Sequence, residues 1–145
     1  MLKNDQTILV AVDGSKNAEL ALNHAVEIAK THAAKLLILS VIDKNAISHS
    51  SFAFSKVLEE EKGHIEKEME RHLSYAREQG IAQVTPIVEI GNPKELISAV
   101  VPADENVDLI VIGATGKGHI GESTIGSTTN YVAQNAPCNV LVVRE

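Results

Sequence analysis

The chain has 145 residues, enough for one domain with a buried core, and its 44% hydrophobic content comes in runs well short of the roughly 18 apolar residues a membrane helix needs. A formal charge of −6, with two Phe, two Tyr and no Trp, excludes the basic, aromatic-bearing surface that nucleic-acid binding requires. The single cysteine, Cys138, excludes an intrachain disulfide and reads as a small core residue, and Met1 to Gln6 carries no apolar signal core, so a cytoplasmic location is expected.

Taken in chain order, β-branched apolar runs alternate with helical patterns, the signature of βαβ units and a parallel sheet. Ile8 to Val12 is the first strand. Ser15 caps a helix whose Ala18, Ala21, Leu22, Ala25, Val26 and Ala29 recur at helical spacing, so one stripe packs on the sheet. Lys35 to Val41 is the second strand. Lys44 to Ser55, with Ser48, His49, Ser50 and Ser51, has no period and reads as a loop. Lys56 to Gln79 is a long charged helix with a solvated face stitched by i,i+4 pairs, ended by Gly80.

Gln83 to Ile90 is the third strand, Gly91-Asn92-Pro93 a turn, and Pro93 opens the helix Lys94 to Val101. Leu109 to Ile112 and Val140 to Val143 are the fourth and fifth strands. The whole of 1–145 reads as one domain without repeats or linkers, and right-handed crossovers place helices on both faces of an open five-stranded parallel sheet.

Directly after the fourth strand the chain reads G-A-T-G-K-G-H-I-G-E-S-T-I-G-S-T from Gly113 to Thr128. Glycines after a parallel strand, followed by a helix start with Ser127 as its N-cap, bare backbone N–H groups that a phosphate can accept. The Walker A pattern fails, because only Ala114 and Thr115 separate Gly113 from Gly116 and Gly118 follows Lys117. Gly116 to Gly121 matches G-x-G-x-x-G, but the dinucleotide version opens a full βαβ unit with a later acidic ribose ligand, and beyond Glu122 the only acid is Glu145.

The spacing Gly113-x2-Gly116-x9-Gly126-Ser127 resembles the ATP-binding branch of the universal stress protein family. The resemblance runs over nearly the whole chain, through Ile8 to Val12 with Asp13-Gly14-Ser15, Val41-Ile42-Asp43, Gly91-Asn92-Pro93 and the closing Pro137 to Val143. It implies strand order 3-2-1-4-5, a Rossmann-like sheet of the adenine nucleotide alpha hydrolase type. Ligands of such open sheets bind beyond the carboxyl ends of the strands where the order reverses, here between strands one and four.

By the same resemblance Asp13 and the Val41 backbone contact the adenine end, with Ala11 lining its wall, and Gly113 approaches the ribose. Gly116, Gly126, Ser127 and the Thr128 amide hold the phosphates, with ATP or AMP as ligand and magnesium accompanying ATP. It also implies a homodimer through the fifth strand, whose uncovered apolar edge invites pairing. Asp13-Gly14-Ser15 has an alternative reading as an Asx turn feeding a helix cap. Lys117 and His119 read as solvated loop residues, and Ser123, Thr124, Thr128 and Thr129 as capping and turn hydroxyls.

No catalytic residues are assigned, and the histidines show no metal-ligand spacing, so no protein metal site is expected. Three functions remain: a nucleotide-binding regulatory protein of the stress response, a slow ATP hydrolase or self-phosphorylating enzyme using the same pocket, and a nucleotide-independent interaction protein. The intact glycine pattern favours the first.

Overall fold

The computed structural model describes residues 5–43, 45, 51–116 and 125–145. Five parallel strands form one sheet in the order β3-β2-β1-β4-β5: β1 Thr7–Ala11, β2 Lys35–Ile42, β3 Val84–Ile90, β4 Leu109–Gly113 and β5 Asn139–Val143. The expected strand order holds. Strand β1 sits at the centre, paired through Leu9 with Leu37 of β2 and with Ile110 of β4, and all three of these side chains are fully buried. Near-continuous apolar strands of this kind suit a sheet covered on both faces.

Each face has its own core. Helices α1, Lys16–His32, and α2, Ser51–Glu78, close one face, where Ala21, Leu22, Ala25 and Val26 of α1 and Met69, Leu73 and Ala76 of α2 meet Ile8, Val10, Leu36 and Ile38. The other face packs Leu9, Leu37, Leu39, Ile110 and Ile112 against Ile97, Val101 and Val132. These last three come from the helical segment after β3, called α3, and from α4, Ser127–Asn135.

Local chemistry sets the element ends. Asp13 Oδ1 accepts the Ser15 amide at 3.0 Å, Gly14 between them sits at φ +85°, and Ser15 Oγ accepts the Ala18 amide at 3.2 Å, so turn and N-cap launch α1 as expected. Gly80, at φ +96°, ends α2. Two elements run longer than the sequence suggests. Helix α2 starts at Ser51, within the stretch expected to be loop. Segment α3 does not stop near Val101: it runs from Pro93–Glu95 through a π-helical turn, Leu96–Val100, into Val101–Glu105. Pro102 has no N–H and its ring crowds a regular turn, and the wider π turn just before it lets the helix continue.

The two sheet edges differ. In β3 the Gln83 carbonyl and the Gly91 amide both turn toward β2, so by alternation the backbone nitrogen of Pro86 faces away from the sheet. In β5 the Val143 carbonyl accepts the Ala114 amide at 2.7 Å, which turns the backbones of Val140 and Val142 outward.

Candidate functional site

A cleft of about 880 Å³ opens at the carboxyl ends of β1, β2 and β4. This is where the strand order reverses, the usual ligand position in an open α/β sheet. Ala11, Asp13 and Val41 line it from the first two strands and Gly113, Gly116, Gly126, Ser127 and Thr128 from the other side. All eight residues singled out in the sequence therefore meet in one cavity. Lys117, His119, Ser123 and Thr124 lie outside the described residues.

The Asx-turn reading of Asp13 holds. One carboxylate oxygen makes the Asx turn with Ser15, while the other reaches across the cleft floor, where a Cβ on Gly116 would lie 2.6 Å from it. Asp13 is thus built into the turn and faces the glycine loop.

Gly113 has a packing reason independent of any ligand. A Cβ there would come within 2.8 Å of the Asn17 backbone, so the first turn of α1 rests directly on the end of β4. Asn17 Nδ2 also donates to Thr115 Oγ1 at 2.8 Å, and the buried Thr129 hydroxyl donates to the Gly113 carbonyl at 2.6 Å. These bonds fix the exit of β4 against both α1 and α4.

The start of α4 corrects one expectation. Gly126, not Ser127, is the N-cap: its backbone is extended (φ −73°, ψ 163°) and its carbonyl accepts the Asn130 amide at 2.9 Å. Ser127 is then the first helical residue and is exposed. The buried Gly126 donates its own amide to Ala114 O at 2.6 Å, so it is committed to the backbone. Glycine is tolerated at an N-cap nearly as well as serine, which is why the pair Gly126-Ser127 reads either way. The amides of Ser127 and Thr128 occupy the first two helical positions, where no intrahelical acceptor exists, and they point out of the positive end of the helix dipole.

The far wall was not visible in the sequence. Glu61, Ile65, Glu68, Met69 and His72 form one stripe of α2 along the cleft, joined by Glu19 of α1. Their helical spacing was the available signal, but nothing in it says that the stripe faces a cavity rather than water. Arg71 ties this wall together, with Nη2 3.0 Å from Glu19 Oε1 and 2.6 Å from Glu68 Oε2. The guanidinium bond holds the Glu68 carboxyl below its ordinary range, and the carboxylates raise Arg71 in turn. Burial lowers His72, with Glu19 pulling the other way.

Comparison with known proteins agrees with this architecture. The model of the universal stress protein family matches residues 5–144. A Staphylococcus haemolyticus protein named as a universal stress protein is 34% identical over 139 residues, 96% of this chain and 84% of the relative. The structure of universal stress protein UspA from Lactobacillus plantarum superposes with a TM-score of 0.90 at 34% identity, over 99% of this chain and 100% of that one. A universal stress protein solved in complex with cAMP shares the fold, with a TM-score of 0.74 at 23% identity over 96% and 97% of the two chains. On sequence and architecture together, the chain belongs to the universal stress protein family.

Proposed function

We propose that this chain binds an adenine nucleotide, ATP or AMP, and acts as a stress-response binding module. One observation carries the reading: residues from three distant stretches, chosen for their spacing alone or by family resemblance, line one cleft at the switch point of the sheet. Asp13 and the Val41 backbone take the adenine end, Ala11 lines its wall, and Gly113 borders the ribose. The phosphates lie between Gly116 and the first turn of α4, held by the Ser127 and Thr128 amides and the Ser127 hydroxyl. Gly126 contributes shape, since its amide is committed to Ala114. Magnesium accompanies ATP through the phosphates. A related fold solved with cAMP supports the choice of ligand class.

Turnover is expected to be slow or nil. Phosphoryl transfer needs cationic groups and a positioned base around the reacting phosphate. Among the described residues the cleft holds no lysine, and its one arginine, Arg71, is tied to Glu19 and Glu68 on the α2 wall. We further propose a homodimer through β5, where Val140, Leu141 and Val142 are half-buried at the sheet edge.

The direct experiment is to denature purified protein, assay the supernatant for adenine nucleotide, and titrate stripped protein with ATP by calorimetry. Released nucleotide or a one-to-one isotherm supports the reading. No nucleotide, no heat of binding, and a melting temperature indifferent to millimolar ATP would point instead to a nucleotide-independent interaction protein.

A further inference from the structure

Outside the glycine loop, Glu19 of α1 and Glu68 and His72 of α2 each present one ligand atom, all within 4.8 Å of one another. The His72 side chain is only 4% exposed, and its Nε2 lies 4.0 Å from Glu19 Oε1, beyond hydrogen-bond reach. Among the described residues no hydrogen-bond partner closes that gap. No described side chain leaves a fully buried nitrogen without a partner, so the unbonded ring nitrogen of His72 is open to a small solute. His72 borders both the main cleft and a second cavity between α1 and α2.

We propose that Glu19, Glu68 and His72 form a site for a divalent transition metal of the zinc class, with the Arg71 guanidinium as its stand-in until the metal enters. Charge supports this. Two carboxylates and a neutral imidazole carry −2, of which Arg71 offsets one unit through the Nη2 that bonds both glutamates. A divalent ion offsets both. The Arg71 side chain is 58% exposed, so it withdraws directly into water.

Geometry supports it as well. Glu68 and His72 stand four residues apart on one face of α2, the spacing by which a helix presents two ligands to one ion. Tetrahedral ligands at about 2.1 Å from zinc lie ~3.4 Å apart, so the 4.8 Å spread closes by a rotamer adjustment of two glutamates. The imidazole nitrogen favours zinc, cobalt or nickel over magnesium or calcium, which prefer all-oxygen sites. A fourth position is left for water. Bound there, the ion joins α1 to α2 and fixes the α2 wall of the cleft. The site was hidden in the sequence because Glu19 lies 49 residues before Glu68.

The test uses untagged, chelator-treated full-length protein titrated with Zn2+ against a chromophoric competitor, and with Co2+ read by its visible absorption. One-to-one binding is expected, with a Co2+ spectrum of a nitrogen- and oxygen-ligated ion. Glu68→Gln and His72→Gln should each weaken binding at least about 10-fold. Arg71→Met should tighten it about two- to fivefold, because a weak competing ion pair is removed. His64→Ala, one helical turn before Glu68, should change nothing. No one-to-one binding, binding indifferent to Glu68→Gln and Arg71→Met, or loss of binding in His64→Ala overturns the proposal. Should His72→Gln fail to fold, the wild-type protein decides by NMR: Co2+ must broaden the His72 ring signals first, and earlier broadening of any other histidine overturns the site.

Discussion

Substituting Ser127 by proline separates the phosphate cradle from the fold that carries it. Ser127 is the first residue of α4, where proline's fixed φ suits the helix and its missing N–H breaks no intrahelical bond. The preceding Gly126 is already extended, at φ −73° and ψ 163°, the conformation a residue before proline prefers. Ser127 is exposed, so no packing is lost. Stability should therefore rise by about 0.4–1 kcal/mol through the unfolded chain's lost freedom, or ~1–4 °C in Tm for a chain of this size.

Nucleotide binding should move the other way. Each hydrogen bond to a charged phosphate contributes about 1.5–3 kcal/mol, and at 1.4 kcal/mol per decade the lost amide alone weakens ATP by roughly 10- to 150-fold. The lost hydroxyl adds to this, and Ser127→Ala measures that share. Calorimetric titration of the three proteins, beside their thermal melts in buffer, gives both quantities. ATP affinity in Ser127→Pro equal to that of Ser127→Ala would refute the amide cradle, and a sharply lowered Tm would refute the placement of Ser127 at the first helical position.

Gly113→Ala should destabilise by about 1–3 kcal/mol, because its Cβ would press within 2.8 Å of the Asn17 backbone, and a thermal melt matching wild type would show that α1 does not sit so close. Thr129→Val removes the 2.6 Å bond to the Gly113 carbonyl and should cost about 1–3 kcal/mol by chemical denaturation without creating a cavity. Burial and nearby Asp108 push the Cys138 thiol above its ordinary value of 9.0, so less thiolate is present at any given pH. Iodoacetamide should accordingly label the folded protein slowly at pH 8, with a rate still climbing beyond pH 9. A rate that levels off below pH 9 contradicts that environment.

The sheet was legible in the sequence because each strand is a compact apolar run between turn signals, and β1, β2 and β4 carry almost no polar residue at all. Order along the sheet was not contained in that pattern and came only through the family resemblance. Helix ends were legible where one residue type dominates, as at Ser15 and Gly80. They were misplaced where two physical rules compete. The helix opened by Pro93 reads as ending at Val101, yet the π turn at Leu96–Val100 accommodates Pro102 and the helix runs on to Glu105. Ser127 reads as a cap, yet Gly126 takes that role because its extended backbone lets its carbonyl open the helix.

The glycine side of the cleft could be foreseen because positions where another group comes close to the backbone show in a sequence as glycine spacing. The α2 wall could not, because the Arg71 bond to Glu19 spans 52 residues and local periodicity holds no trace of it. Likewise the contact between Gly113 and Asn17 depends on how closely α1 settles on the sheet, a matter of tertiary packing.

Pro86 makes the two rims of the sheet chemically unequal. Because its hydrogen-free nitrogen faces away from β2, a further strand laid along that rim would find a gap in the donor row at mid-length, flanked by the exposed Glu89. The opposite rim presents the outward amides of Val140 and Val142 with no proline between them. A molecule with one receptive border and one blocked border can join a second copy rim to rim, but the pair so formed offers only blocked borders. Such growth ends at two and cannot run on into a fibre.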